Sequence, residues 1–168
     1  MRIVVFIAAA AMVAGCSGNH HPVEHLWYVN GHVTGLGMRG KIQQVEHQRT
    51  TPAEALDDLL NGPTQSERAQ GLTTAIPEGT RVARISVSNL TASVRLASST
   101  QRREWRSGVY ASAQIVYTLT EFDEIARVKL SVNGEQCCLY DMRHRPIKRL
   151  LTRRVFRGWQ GDPLPPPG

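Results

Sequence analysis

The chain has 168 residues, of which 41% are apolar and 20% are charged, as in an ordinary folded domain. This balance excludes wholesale disorder, and the length excludes two large domains. Lys and Arg number 20 against 14 Asp and Glu, and the basic residues are concentrated between positions 143 and 157. Such a run suits an anionic membrane surface, an acidic protein or nucleic acid.

Residues 1–15 have the pattern of a removable export leader. Arg2 gives a positive start, and residues 3–13 are continuously apolar but too few to span a bilayer. Val13-Ala14-Gly15-Cys16 resembles the lipobox of bacterial lipoproteins. The resemblance implies cleavage before Cys16, diacylglycerol on its thiol and a fatty acyl chain such as palmitate on the new N-terminus. An ordinary secretory leader with an incidental Cys16 is the alternative.

Residues 16–25 carry no periodic pattern and are predicted to form a tether. Its histidines, His20, His21 and His25, have no accompanying thiolate or carboxylate at fixed spacing, so we predict solvated side chains and no metal site. Export also permits a disulfide between Cys137 and Cys138. Because neighbours on a strand point to opposite faces, two separate thiols are favoured, and the redox state stays open.

The first elements predicted are two short strands at 26–29 and 41–47, separated by a glycine-rich break. Thr51 and Glu54 have capping-box spacing with Pro52 between them, which predicts a helix that ends at Gly62-Pro63. Thr64 and Glu67 repeat this spacing and predict one further helical turn.

Alternating apolar residues then predict two strands around 85–96, with a hairpin turn at Ser88-Asn89. From Ser107 the apolar period becomes helical, and Asn133-Gly134 predicts a tight hairpin. Two helices cannot cover both faces of a sheet. The predicted fold class is therefore α+β: a small mixed or antiparallel sheet with two helices on one face, flanked by the N-terminal signal and tether and a basic C-terminal tail.

Several of these segments together resemble one known family. The residues are Pro52-Ala53-Glu54-Ala55-Leu56, Leu59-Leu60-x-Gly62-Pro63-Thr64, Glu67-Arg68-x-x-Gly71-Leu72-Thr73-Thr74-Ala75-Ile76-Pro77-x-Gly79-Thr80, Val94-x-Leu96, 114–122, 128–132 and Gly134. They resemble the GerMN domain of sporulation and spore-germination proteins over about residues 26–135. The resemblance implies a fold similar to ring-building modules, protein–protein contact, no known catalysis, and a place among actinobacterial-type lipoproteins that contain one such domain.

Polar residues within these segments are the candidate binding residues: Arg68, Thr73, Thr74, Arg95 and Gln114. Arg95 departs from the family pattern, in which an acidic residue usually stands between the valine and the leucine of that strand. Structural roles in turns and caps are the alternative for the other four.

Sequence motifs of catalysis are missing, including G-x-S-x-G, H-E-x-x-H and a phosphate-binding glycine loop. His32, His47 and His144 lie in separate segments, so the sequence neither supports nor excludes a triad built from them. We predict no enzyme activity, no cofactor and no catalytic or metal-ligating residues.

The predicted organisation is a signal peptide at 1–15, a tether at 16–25, a GerMN-like domain at 26–140 and an Arg-rich, Pro-terminated tail at 141–168. The function expected is that of a lipid-anchored protein-interaction module on the extracytoplasmic face of the cell membrane. Its partner would be an envelope protein or a second copy, and nucleic acid is not expected. The alternatives are a solute- or wall-binding lipoprotein that holds an anionic ligand with Arg95, Arg102, Arg103 and Arg106, and an envelope hydrolase. Whether the tail is ordered stays open: it would be a solvated extension, or part of it would pack back on the domain, as the apolar residues among its cations indicate: Leu150, Leu151, Val155, Phe156 and Trp159.

Overall fold

The computed structural model describes residues 23–34, 37–99, 108–135 and 150–157. The elements in chain order are β1 (Val23–Thr34), β2 (Gly37–Arg49), α1 (Pro52–Asn61), α2 (Gln65–Ala69), β3 (Leu72–Thr73), β4 (Arg81–Ser88), β5 (Thr91–Ala97), α3 (Gly108–Leu119), β6 (Arg127–Val132) and a 3₁₀ turn at Arg153–Phe156. The predictions for the leader, for Cys16 and for Cys137 and Cys138 lie outside the described residues.

The strands form two three-stranded sheets, in the orders β2-β1-β3 and β4-β5-β6. The first sheet is antiparallel, whereas the second is mixed, because α3 separates β5 from β6 and these two strands run parallel. The predicted α+β class is confirmed, but the strands do not share one sheet. β3 is only two residues long. Two residues after it, the Ala75 N–H donates to the side chain of Gln114 and takes no part in the strand ladder.

Both predicted capping boxes are present. The Thr51 hydroxyl accepts from the Glu54 N–H at the start of α1, and the Thr64 hydroxyl accepts from the Glu67 N–H at the start of α2. Gly62 ends α1 with φ of 78°, a conformation that a residue with a Cβ rarely adopts. Local sequence therefore determines where both helices begin and where α1 ends.

The predicted glycine break between the first two strands is wrong, because β1 and β2 continue through the glycines. Gly31 and Gly40 lie directly opposite each other in the ladder. A Cβ built on Gly40 would lie 2.5 Å from the carbonyl oxygen of Asn30, so this position needs a glycine for close backbone approach. The glycines allow the two strands to approach closely along their length.

The hairpin between β4 and β5 turns one residue later than predicted. Asn89 and Leu90 both have positive φ, 49° and 57°, and Ser88 pairs with Thr91 across the turn. The predicted Asn133-Gly134 turn is confirmed, with positive φ at both residues and a bridge between Val132 and Glu135. Leu90 therefore lies in the turn and not in the strand where the alternation placed it.

A single core joins both sheets, because α1 and α3 contact strands of each. Residues 111–119 of α3 are buried on every side, although the sequence predicted one apolar stripe. The last described segment also enters this core. Leu151 forms an antiparallel bridge to Val128, and both Leu151 and Phe156 are 1% exposed, so part of the predicted tail packs on the domain.

Candidate functional site

Four of the five predicted binding residues lie close together beside β3. Thr73 pairs with Val29 in the first sheet. A Cβ placed on Gly62 would lie 3.6 Å from the Thr74 side chain and 3.9 Å from the Arg68 guanidinium. The Thr74 hydroxyl lies 3.4 Å from the Gln114 amide nitrogen. Arg95 lies apart from these residues, on β5 of the second sheet.

Gln114 holds α3 against the first sheet. It is fully buried, and its oxygen accepts from the Ala75 N–H at 2.8 Å. Its amide nitrogen donates to the Trp27 carbonyl at 3.2 Å. The Thr74 hydroxyl in turn accepts from the Ile76 N–H at 3.1 Å. These contacts place the polar atoms of Gln114 in a structural network that links α3, β1 and the loop after β3.

A histidine lies between two carboxylates where β2 meets α1 and α2. His47 Nε2 is 2.7 Å from Glu67 Oε1, and His47 Nδ1 is 3.7 Å from an Asp58 carboxylate oxygen that also pairs with Arg49. The hydroxyl of Tyr28 donates to the Asp58 carbonyl at 3.3 Å. Sequence reasoning left His47 without a role because its partners come from two helices that follow β2.

The electrostatics of this cluster favour the ionised form of Glu67. Burial alone would raise the pKa of Glu67, but hydrogen bonds from His47 and from the Thr64 backbone and hydroxyl together hold it below its ordinary value. Burial, followed by the negative charges of Glu67 and Asp58, raises the pKa of Tyr28 above its usual range. Tyr28 therefore stays neutral, and the cluster joins β2 to α1 and α2 through charge-assisted bonds.

Glu67→Gln is expected to lower stability by about 1–2 kcal/mol at pH 7, because it removes a charge-assisted acceptor. The folded-state pKa of Glu67 lies below its ordinary value of 4.5, so its contribution is complete above that pH and is lost as the pH falls through the folded-state value. Urea unfolding at pH 7 and at about pH 3 measures both effects. Glu46→Gln, an exposed change on β2, is the matched control; an equal loss in Glu67→Gln at both pH values would contradict the prediction.

Arg153 fastens the last described segment to the end of α3. Its guanidinium donates to the Thr120 hydroxyl at 2.7 Å and to the Tyr117 carbonyl at 3.0 Å, and it pairs with the Glu121 carboxylate. It also lies over the rings of Trp27 and Tyr117, at 5.6 Å and 5.2 Å from their centroids. The guanidinium of Arg153 therefore makes its contacts within the domain and is not part of a binding surface.

The outer face of the second sheet carries several cations and no acidic residue. Its inner face carries Ala92, Val94 and Leu96 of β5 and Val128, Leu130 and Val132 of β6, all buried in the core. Strand alternation and the observed register therefore place a second set of side chains outward, which we call the basic face: Arg81, Arg84, Ser86, Ser88, Thr91, Ser93, Arg95, Ala97, Arg127, Lys129 and Ser131. The basic face has five cations, and none of its residues is acidic.

The cations cross the basic face diagonally. Arg84 lies directly opposite Arg95, Lys129 lies beside Ser93, and Arg127 lies beside Thr91. Standard strand spacings spread them over about 10 Å by 20 Å. Like charges in directly opposite positions destabilise a strand pair, and the Arg84–Arg95 pair forms no ion pair with another described residue. The arrangement costs stability within the domain, so its benefit is expected in contact with an anion.

The sequence predicted Arg95 as a binding residue but missed the neighbours that complete the basic face. The sequence pattern did not place Arg84 on this face, because the chain bulges between Val82 and Arg84 and the bulge shifts the alternation of side chains by one residue. The parallel pairing of β5 with β6 joins residues 36 positions apart and has no local signal. Arg102, Arg103 and Arg106, the other predicted cations of an anion site, lie outside the described residues.

Other classes of site find little support in the described part of the chain. Its His, Cys, Asp and Glu residues form no group of three or more with the geometry of a metal site. Among the helices described, none is both long and apolar enough to cross a membrane. A depression of about 540 Å³ at the β4–β5 turn is lined by Pro52, Val87, Ser88, Asn89, Leu90 and Glu124, a set without a histidine or a second carboxylate.

These elements define a small α+β domain of two three-stranded sheets with a basic outer face. The sequence profile of the Germane family, described as sporulation and spore germination, matches residues 28–138. The chain belongs to the Germane family.

Two solved structures share this fold. The tandem GerMN domains of the sporulation protein GerM from Bacillus subtilis align with a TM-score of 0.59 and 17% identity, over 87% of this chain and 50% of that chain. The first GerMN domain of the same protein aligns with a TM-score of 0.52 and 20% identity, over 77% of this chain and 98% of that chain. This chain therefore spans half of the tandem structure, and the likeness shows the fold. No curated protein sequence matches significantly.

Proposed function

We propose that this protein is a non-catalytic interaction module, anchored by lipid on Cys16 to the extracytoplasmic face of the cell membrane. The observation that carries the proposal is the basic face: five cations on one outer sheet surface, none of which forms an ion pair with another described residue. Membership of a family described by sporulation and spore germination supports a role in that setting. The lipobox-like Val13-Ala14-Gly15-Cys16 supports the anchor.

The polar clusters elsewhere in the described domain favour interaction over catalysis. Gln114 is hydrogen-bonded within the fold, and Arg153 is bound by α3. His47 contacts two carboxylates, but neither a serine, a threonine nor a cysteine side chain is hydrogen-bonded to it among the described residues. Nucleophilic catalysis requires such a contact. A small-solute site is also disfavoured, because the cations are spread over an open sheet face instead of converging in a cavity, and Arg127 already donates to the Asn89 carbonyl at 3.0 Å.

Cys16→Ala is expected to release the protein from the membrane fraction, because the acyl chains hold it there by burial of about 0.8 kcal/mol per CH₂ group. Fractionation of intact cells, followed by carbonate extraction, measures the release. The intact mass of the wild-type protein should show a chain that begins at Cys16 and carries the lipid.

Cys137→Ala is the matched control, since it removes a different thiol and should leave fractionation unchanged. Integral membrane behaviour of Cys16→Ala, or a wild-type mass without lipid, would contradict the anchor. Capture of partners by crosslinking in intact cells then tests whether an envelope protein or a second copy of the chain binds the domain.

A further inference from the structure

We propose that the basic face, together with Leu90 at the β4–β5 turn, rests on an anionic phospholipid bilayer. The proposal names the partner of the surface on which the proposed function depends. It rests on that function only for bringing the domain near a membrane. An acidic protein partner for the same face is the competing outcome of the test.

The layout of the basic face fits a planar anionic surface better than one compact ligand. Its cations form two groups: Arg81, Arg84 and Arg95 lie at one corner of the face, and Arg127 and Lys129 lie near the opposite corner on β6, with Ser86 and Ser93 between the groups. A single phosphate is normally bound by donors that converge on it, whereas these two groups lie apart across the face. A bilayer presents many headgroups across a plane, so both groups can meet anions at the same time.

Leu90 adds an apolar contact at the edge of this face. It is 52% exposed and has φ of 57°, a conformation that a leucine adopts at an energetic cost. Its carbonyl accepts from the N–H groups of Ala126 and Arg127, at 2.9 and 3.0 Å, which fixes the turn against β6. The domain thus holds a large aliphatic side chain in solvent, in a strained position, beside Arg127. Cations next to exposed aliphatic groups are typical of surfaces that contact a membrane interface.

Two further aliphatic residues are exposed at the second sheet, one on each side of it. Val87 is 38% exposed, but it pairs with the buried Ala92, so its side chain lies on the inner side, opposite the basic face, where it lines the depression with Leu90. Leu150 is 40% exposed, and it lies on the outward side because Leu151, its neighbour, bridges Val128 with its side chain in the core. These three residues are the large hydrophobic side chains most exposed among the described residues.

The start of the domain lies at the same end as Leu90. The Trp27 indole N–H donates to Glu121 at 3.0 Å, and His25 is 3.7 Å from the same carboxylate. Glu121 lies two residues after the end of α3 and six positions before Arg127, whose N–H bonds to Leu90. Val23, where β1 begins, follows Cys16 by seven positions, a reach of at most about 25 Å. A lipid on Cys16 would therefore keep this end of the domain beside the bilayer.

The acidic residues at this end determine which surface faces the lipid. Asp123 and Glu124 belong to the loop that joins α3, on the inner side of the second sheet, to β6. Glu124 lines the depression beneath Val87 and Leu90. Repulsion between these carboxylates and anionic headgroups disfavours an end-on approach. The domain is expected to lie with the basic face against the bilayer and Leu90 at the border of the contact.

Vesicle co-sedimentation tests this surface separately from the lipid anchor. The contacts that build the described domain lie within residues 23–157, so a chain that starts at Ser17 keeps all of them while lacking both leader and Cys16. It is expected to bind vesicles of phosphatidylcholine and phosphatidylglycerol mixed equally, and to bind phosphatidylcholine alone far more weakly. Each of Arg84→Gln, Arg95→Gln and Lys129→Gln should lower binding to the mixed vesicles about fivefold. Lys41→Gln, an exposed lysine change on β2, is the matched control.

Leu90→Asn supplies a second, independent readout. Asparagine tolerates positive φ, so this change should raise the melting temperature while it lowers vesicle binding several-fold. A purely structural role for Leu90 would move stability without changing binding. Loss of binding therefore cannot be attributed to misfolding.

Equal binding to both vesicle compositions, or no effect of the charge variants, would overturn the proposal. Binding to an acidic polypeptide but not to the mixed vesicles would overturn it in favour of a protein partner. If full-length Cys16→Ala leaves the membrane fraction but the domain does not bind vesicles, the proposal of a lipid anchor still stands. Only the proposal that the basic face binds a bilayer is then overturned.

Discussion

Phe156→Ala is expected to lower the free energy of unfolding by about 3–5 kcal/mol, the range for removal of a buried phenylalanine. Phe156 is 1% exposed in the core, and its carbonyl accepts from the Tyr117 hydroxyl at 3.4 Å. Arg153 and the Leu151–Val128 bridge hold the same segment from two other directions. The cavity cannot close easily, because the contacts of Leu151, Arg153 and the Phe156 carbonyl hold the 3₁₀ turn in place.

Chemical denaturation of the full chain measures this effect, with Leu150→Ala as the matched control. Leu150 is in the same segment but 40% exposed, so its removal should cost less than about 1 kcal/mol. A small effect of Phe156→Ala would mean that the segment is a detachable tail. The expected result would mean that residues 150–157 belong to the folded domain.

Gln114→Leu is expected to cost about 3 kcal/mol, although the two side chains have similar volumes. Leucine leaves the Ala75 N–H and the Trp27 carbonyl without their partners inside the core, and each unsatisfied group costs about 1–3 kcal/mol. Thermal or urea unfolding measures the loss. Gln70→Leu makes the same replacement at the exposed residue that follows α2 and should be close to neutral.

The same pair of variants separates a structural from a binding role for Gln114. If this residue were kept for a ligand, Gln114→Leu would fold with nearly unchanged stability and lose only binding. If it holds α3 against the first sheet, the loss of stability should appear without any partner present. The full burial of Gln114 favours the second result.

Signals that act within a few residues could be predicted from the sequence. The capping boxes at Thr51 and Thr64 and the Asn133-Gly134 turn are present as expected, because each depends on hydrogen bonds or backbone angles inside one short segment. The turn at Asn89-Leu90 was misplaced for the opposite reason. Leucine at positive φ contradicts local preference, and the β4–β5 register decides its place there.

The candidate site could be predicted only in part. Arg95 was identified because it departs from the pattern of the family that the sequence resembles. Arg84 and Lys129 were not, since their common face depends on a bulge in β4 and on the parallel pairing of β5 with β6. His47 was left open because its contacts with Glu67 and Asp58 form only when two helices pack on the sheet.

The sequence by itself determined the α+β class, the capped helices, the tight Asn-Gly turn and the resemblance to the family to which the chain belongs. Only the tertiary structure decided that the strands divide into two sheets, that Leu151 pairs with Val128 of β6 and that five cations share one face. The physical reason is the separation along the chain between the residues that interact. Caps and turns gain their free energy from neighbours in the chain, whereas register, burial and charge clustering depend on contacts between distant residues.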